Sequence, residues 1–383
     1  MVDRNPLSGV GGRDQRRLFL STALATRREK RVALAIAAIA LVAFLVTVPF
    51  VRLPLAKMPA FIPSYEAALF FIDLITAVLL FDQFFRVRSG GILFLASGDL
   101  FDAFIIVPHA LSFPGAFAPT GLLGAKEQTT AWLYVFWHGG FPLFVLCYAL
   151  WGRGEASGGS YWTSLRLKWA MIGSIFAVAA LTIILVLMAT WGHDFLPVVM
   201  RGGDYSLLVK TGISPAVWAL TLLAMVLLWR REQRVMDLWL MLVMWIWLFD
   251  IALSAVIGST RFDLGFYAGR IFGLIAASFL LVTLIVESAQ IYANALGAAA
   301  SAEQRLAQLE RARRPLEVRN VKTARDEPVE LFVLRQNIAR YRTMLESRTL
   351  DEGQRRMIER LLSEEEGKYR AMDSPKMKAL RPQ

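Results

Sequence analysis

The chain has 383 residues, 56% of them hydrophobic and only 19% charged, with a formal net charge of +11. Soluble domains are usually about 45–50% apolar, so the composition points to a polytopic membrane protein and excludes an ordinary soluble globule. The single cysteine, Cys147, excludes an intrachain disulfide and a cysteine-cluster metal site, and basic residues gathered at the flanks of apolar segments point to the lipid bilayer as partner, with no nucleic acid.

In chain order, the mostly polar segment 1–31 ends on "RREKR" (27–31), which reads as the cytoplasmic flank of a retained span rather than a cleavable signal. A helix needs about 20 apolar residues to cross the hydrocarbon layer. Eight segments qualify: 32–50, 66–85, 92–111, 130–150, 169–190, 212–229, 236–256 and 271–290. Turn-rich stretches separate several of them: "RLPLAKMPAFIPS" (52–64), "RVRSGG" (86–91), "GRGEASGGS" (152–160) and "IGSTRFDLG" (257–265). The expected fold is all-α: a polytopic membrane helix bundle of eight transmembrane helices over 32–290, with a short cytoplasmic helical tail. If the N-terminal flank is inside, the inner loops (Arg86, Arg88, Arg153, Arg166, Lys168, Arg230, Arg231 and Arg234) are richer in Lys and Arg than the outer ones. An even number of spans puts both termini in the cytoplasm.

After the last span the helical pattern runs on through "VESAQIYANALGAAASAEQRLAQLERARR" (286–314), with Pro315 as its expected end. Segment 291–314 reads either as a helix that pairs with its copy in a homodimer or as a free juxtamembrane helix. A charged linker, 315–329, precedes a helical hairpin over 330–372, and 373–383 reads as a disordered C-terminus. The hairpin's helices are 330–347 and 350–372, with capping-box spacing from Thr349 to Glu352. Two short helices bury little area alone. The hairpin is therefore expected to dock on a second copy or on a cytoplasmic output protein, through residues 291–372.

None of the three histidines lies in this tail, which also lacks a strand pattern. That argues against a phospho-accepting histidine and against a cyclase or kinase fold. "RGGDYSL" (201–207) looks like a diguanylate cyclase signature loop, but it falls between the fifth and sixth spans with no α/β domain around it. The chain is expected not to be an enzyme, and no catalytic residue is assigned.

A carboxylate at bilayer depth costs several kcal/mol, so it must face a protein interior, a cavity or a partner. Asp73 lies about 10 Å from the outer end of the second span, His138 about 12 Å into the fourth and Asp250 about 9 Å into the seventh. His109 ends the third span between Pro108 and Pro114, which are expected to break the helix toward an outer cavity. With Trp137 in reach, Asp73, His109, His138 and Asp250 read in one of three ways: a ligand pocket open to the periplasm, buried pairs that fix helix packing, or unrelated interfacial residues. No i,i+4 histidine pair is present, so no metal is assigned and the cofactor stays unknown. Asp82, Arg86, Asp99 and Asp102 form a second group toward the cytoplasm. Asp82 and Arg86 are i,i+4, and Asp99 and Asp102 share a helix face. They read as an inner polar network joining the second and third spans or, continued through Asp73, as a proton or cation path.

Residues 59–150 carry a specific string of motifs: "P-x-F-x-P" (59–63), "D-x-x-T-A-x-L-L" (73–80), "LASG" (95–98), "HALSFPGAF" (109–117), "QTTAWLY" (128–134) and "WHGGFP" (137–142). This string resembles the fourth type of the bacterial membrane-associated sensor domains, the MASE series, and the resemblance runs on more weakly to about residue 285. It implies an eight-span integral sensor in a bacterial inner membrane, without naming a stimulus. Relatives generally carry a catalytic output domain, whereas here only the helical tail follows, so the output is expected to be a partner protein. Asp99 also stands where the family pattern leads one to expect an aromatic residue. The rival reading is a proton- or ion-coupled transporter using Asp73, Asp102 and Asp250, with Gly139–Gly140 as the place where a span would break.

Overall fold

The computed structural model describes residues 23–151, 164–231, 233–258, 260–326, 329–346 and 350–373, without the side chains of 312–326. The expected turn at 152–160, Thr349 of the expected capping box, most of the N-terminal flank and almost all of 373–383 lie outside the described residues. The chain divides into two compact units, residues 1–292 and 293–383. Among the described residues there is no strand, only isolated bridges between loop positions.

In the first unit, α1 (Arg27–Thr47) opens on Thr26, whose hydroxyl accepts from the Glu29 N–H while the Glu29 carboxylate accepts from the Thr26 N–H. That reciprocal cap satisfies donors no helix can satisfy alone. α2 (Phe61–Val87) and α3 (Gly90–Ser112) form a tight antiparallel hairpin, turned at Arg88 in the left-handed conformation, φ 59°. α4 (Thr129–Trp151), α5 (Ser164–Thr190), α6 (Ile213–Trp229), α7 (Val235–Ile251) and α8 (Leu264–Asp326) follow. α7 ends in a π-helical stretch, Ala252–Ile257. α2 packs on α3 and α3 on α4, α4 and α7 both pack on α6, and α1 packs on α7.

Burial sorts the helices into layers. In the most apolar stretch of both α3 and α7, 78% of residues are buried, against 6% for α1 and 11% for α5. α1 exposes Leu34, Ile39, Val42 and Val46, and α5 exposes Trp169, Phe176, Ile183 and Ile184. Contiguous apolar surface on that scale is untenable in water and natural against lipid tails. The core is a main aromatic-rich cluster running from Tyr65 and Phe84 through Phe101, Trp137 and Trp247 to Phe272.

Among the described residues, seven helices are long and apolar enough to cross a membrane, by length and composition. The segment expected as the sixth span, α6, has 17 residues, or about 25 Å against a hydrocarbon layer of about 30 Å. Other expectations shift. α3 continues through Pro108 to Ser112 instead of breaking at the proline; Thr130 anchors its end by donating from Oγ1 to the Ser112 carbonyl at 3.1 Å. α4 runs unbroken through Gly139–Gly140. A Cβ at Gly140 would overlap the Phe101 ring, so that glycine admits α3 rather than opening the helix. α8 continues through Pro315 to Asp326. Leu, Glu, Lys, Arg and Ala follow the proline, and these helix formers carry the helix past the one donor that proline removes.

In the second unit, α9 (Val329–Glu346) and α10 (Glu352–Met372) form a helical hairpin. Asp351 caps α10 by accepting from the Gln354 N–H at 2.7 Å. Leu331, Leu334 and Ile358 are buried, and Arg342 pairs with Glu366 at 2.6 Å.

Candidate functional site

The hairpin register decides which polar groups meet. Glu66 and Asp73 stand seven residues apart on α2, and Asp102 and His109 stand seven apart on α3. Antiparallel packing therefore sets Glu66 opposite His109 and Asp73 opposite Asp102 on one seam. His109 Nδ1 lies 2.7 Å from Glu66 Oε1, with both side chains at most 2% exposed. The other oxygen, Glu66 Oε2, has no partner.

Next to this pair, His138 on α4 meets Asp250 on α7, Nε2 to Oδ2, at 3.2 Å. His138 Nδ1 lies 3.1 Å from the backbone carbonyl of Tyr134. A carbonyl only accepts, so Nδ1 carries a hydrogen. The Tyr134 hydroxyl lies 2.7 Å from Ser254 Oγ, which donates to the Asp250 backbone carbonyl at 2.7 Å. Ser254 belongs to the π-helical stretch, a departure from α-helix that often marks functional sites. Gly269 and Gly273 on α8 make room for Asp250: a Cβ would lie 2.9 Å from Oδ1 at the first position and 2.8 Å from Oδ2 at the second. Trp137 stands between the two histidines, its ring centroid 5.8 Å from that of His109 and 4.6 Å from that of His138.

Above these pairs opens a cleft of ≈ 40 Å³, whose lining includes His109, Tyr134, Tyr205, Ser254, Arg261 and Arg270. Gln128 builds its wall by accepting from the N–H groups of Val199 and Met200 and donating to the Met200 carbonyl. Tyr205 donates to the Thr260 carbonyl at 2.9 Å, and burial pushes its hydroxyl pKa above the usual phenol range. The segment "RGGDYSL" contributes Tyr205 to this wall and folds at Arg201–Asp204 as a tight turn.

Of the residues expected in one outer pocket, the structure thus brings together His109, His138, Asp250 and Trp137, and it places Asp73 elsewhere. Because α2 begins at Phe61, five residues before the expected edge, Asp73 falls at mid-helix. There it interacts electrostatically with Asp99 and Asp102. All three carboxyls are at most 5% exposed, and Asp99 Oδ2 and Asp102 Oδ1 have no hydrogen-bond partner. The Trp137 indole N–H faces Asp102 without closing a well-formed hydrogen bond. The expected inner network of Asp82, Arg86, Asp99 and Asp102 is divided accordingly. Asp82 and Arg86 form a partly exposed pair at 2.8 Å, while Asp99 and Asp102 join Asp73 deeper in the bundle.

Sequence reasoning missed Glu66, Arg261, Arg270 and Ser254 at the cleft. At the far end of the bundle it missed Gln83, which donates to Glu287 at 3.2 Å, and Tyr148, which donates to Asp237 at 2.7 Å. No group of three or more His, Cys, Asp or Glu among the described residues is arranged to hold a metal ion.

A family model described as a membrane-associated sensor, integral membrane domain, matches residues 56–292. No curated protein and no solved structure matches the chain.

Proposed function

Because the chain belongs to MASE4, the family of membrane-associated sensor, integral membrane domains, we propose that this multi-pass membrane protein is a non-catalytic sensor that takes a periplasmic signal at the His109–His138 cleft and hands it to a cytoplasmic partner. One observation carries the reading. Phe266 and Arg270 line the cleft from the first two turns of α8, whose bounds run on to Asp326. A shift at the cleft thus acts on the same helix that leaves the sensor domain. In this reading α6 is an eighth span, both termini are cytoplasmic in a bacterial inner membrane, and the cleft faces the periplasm. The Lys and Arg excess on the opposite loops supports that orientation. The α9–α10 hairpin, with Val329, Phe332 and Val333 exposed, is the surface for an output protein or a second copy. Contiguity along α8 is the coupling argument offered.

The test compares the full chain with a chain ending at Tyr292, both purified from native membranes. A protein recovered with the full chain alone supports the reading, and equal recoveries overturn it. Single cysteines at Phe117 and Phe195, probed with an impermeant maleimide in intact cells, check the orientation: both must label from outside.

The trio Asp73, Asp99 and Asp102 favours a second reading, a proton- or cation-coupled transporter. Buried acids without a cation within ion-pair distance need a proton or a cation for company. Uptake of sodium or protons into proteoliposomes, lost on Asp102→Asn, would decide for it.

A further inference from the structure

The cleft contains a charge imbalance. Arg270 is 7% exposed, yet no carboxylate of the described residues lies within ion-pair distance of it. Among the described residues its one hydrogen-bond acceptor is the Phe266 carbonyl, 2.8 Å from Nη1. No acceptor among the described residues meets the Arg261 guanidinium, which stacks 4.9 Å from the Phe113 ring centroid. Arg270 in turn lies 3.6 Å from the Phe266 ring centroid. Aromatic faces hold a guanidinium while leaving its hydrogens free. Burial and the charge of Arg270 together hold the Arg261 pKa down to about 10, so its guanidinium is cationic at neutral pH.

The nearby acids are hydrogen-bonded to other groups, and none of the described residues' carboxylates lies within ion-pair distance of either guanidinium. Asp250 is paired with His138 at 3.2 Å and Glu66 with His109 at 2.7 Å. Asp263 accepts from the Phe266 N–H at 2.7 Å and from the Thr260 hydroxyl at 3.2 Å. The hydroxyls of Tyr134, Tyr205 and Ser254 are also engaged. The unmatched donors in the cleft are therefore guanidinium hydrogens from two arginines, and a guanidinium fork fits the paired oxygens of a carboxylate or phosphate.

We propose that this cleft binds a small oxyanion, clamped between Arg261 and Arg270. The volume of ≈ 40 Å³ has room for a few heavy atoms and excludes a nucleotide or a fatty acyl chain. The inference rests on the sensor reading only in making this anion the signal. The binding itself stands or falls separately.

The experiment is a titration of the purified full chain in phospholipid-free detergent with acetate, formate, bicarbonate and inorganic phosphate. Chloride at matched ionic strength is the control, and unfolding temperature and equilibrium dialysis are the readouts. At least one oxyanion is expected to bind saturably where chloride does not. Arg261→Gln, at the accessible rim, should weaken binding at least about tenfold, the worth of one charge-assisted hydrogen bond. Arg270→Gln should weaken it further; if that variant does not fold, Arg270→Lys replaces it, since lysine keeps the charge and loses the fork.

No saturable binding by any of the four anions in detergent or in zwitterionic nanodiscs, with none gained in nanodiscs containing phosphatidylglycerol, overturns the proposal, as does unchanged affinity in the Arg261 variant. Binding that appears only when nanodiscs contain phosphatidylglycerol identifies the oxyanion as a lipid phosphate and upholds the site. If an anion binds and no partner depends on residues 293–383, the sensor reading fails and the site remains. If such a partner exists and no anion binds, the reverse holds.

Discussion

The Glu66–His109 pair can be tested by removing its members one at a time and together. His109→Leu leaves Glu66 buried at 1% exposure with neither oxygen hydrogen-bonded, because Oε2 already lacks a partner. Removing one partner of a buried pair typically costs about 3–5 kcal/mol, roughly two to four orders of magnitude in the folding equilibrium. Glu66→Leu leaves the His109 ring without its hydrogen-bond partner but no buried carboxylate, a smaller loss of about 1–3 kcal/mol. The double variant leaves neither orphan, and the two leucines fill an apolar seam. It should lie within about 1 kcal/mol of wild type, since apolar replacement of a buried pair is often neutral or better. Equilibrium unfolding of the purified protein in mixed micelles measures all three. The expected order is wild type near the double variant, then Glu66→Leu, then His109→Leu. If the single costs simply add in the double variant, the pair does not interact and the seam register is wrong.

Three further outcomes follow from single positions. Gly273→Ala pushes a methyl to 2.8 Å from Asp250 Oδ2 and should cost about 1–3 kcal/mol by overpacking; Gly297→Ala, with nothing within 4 Å of the new methyl, should be neutral or stabilising in the same unfolding assay. Asp351→Ala removes the cap of α10 and should cost about 1 kcal/mol of hairpin stability, read as faster amide exchange in its first turn. Asn337 holds the Glu365 pKa below the usual carboxylate range and Arg342 does the same for Glu366. Their contribution is therefore complete above the unfolded pKa of about 4.3 and fades as pH falls through the lower folded values. Amide exchange in α9 and α10 should rise below about pH 4, and high salt at neutral pH should weaken the same contacts.

The membrane class and the position of each apolar helix were legible, though several helix starts were not, because a run of about 20 apolar residues has one physical meaning in a bilayer. His109, His138 and Asp250 were legible for the same reason: hydrocarbon penalises them, so they must share an interior. Their partners were harder to read. Glu66 follows "FIPSY" and looks like the polar lip of a span, yet α2 starts at Phe61 and draws it inside. Arg270 looked like an outer-loop cation because the charge ended the hydropathy window; in the fold the Phe266 ring, one turn earlier on α8, lies beneath its guanidinium. The signal that could have found Glu66 is the seven-residue spacing from Asp73, matched by Asp102 to His109. The placement of Asp73 with Asp99 and Asp102 follows from that same spacing, and the expected pocket paired it instead with groups at similar estimated depth.

The seam explains why two kinds of acid site coexist in one bundle. At the cleft end each acid has an imidazole partner, Glu66 with His109 and Asp250 with His138. Seven residues deeper on each helix the same register sets acid against acid, with no imidazole in reach. Trp137 joins the two levels: its ring packs against both histidines and its N–H faces Asp102. A small anion settling on Arg261 and Arg270 would draw on the field that His109 and Asp250 share, and any reorientation of His109 or His138 presses on Trp137. The acid trio then feels the cleft through one indole, while α8 feels it through Phe266 and Arg270. Replacing Trp137 by Phe keeps an aromatic ring there and removes the N–H together with part of the indole. That exchange separates the routes: an anion response in α8 that survives it travels by the helix, and one that disappears travels by the trio.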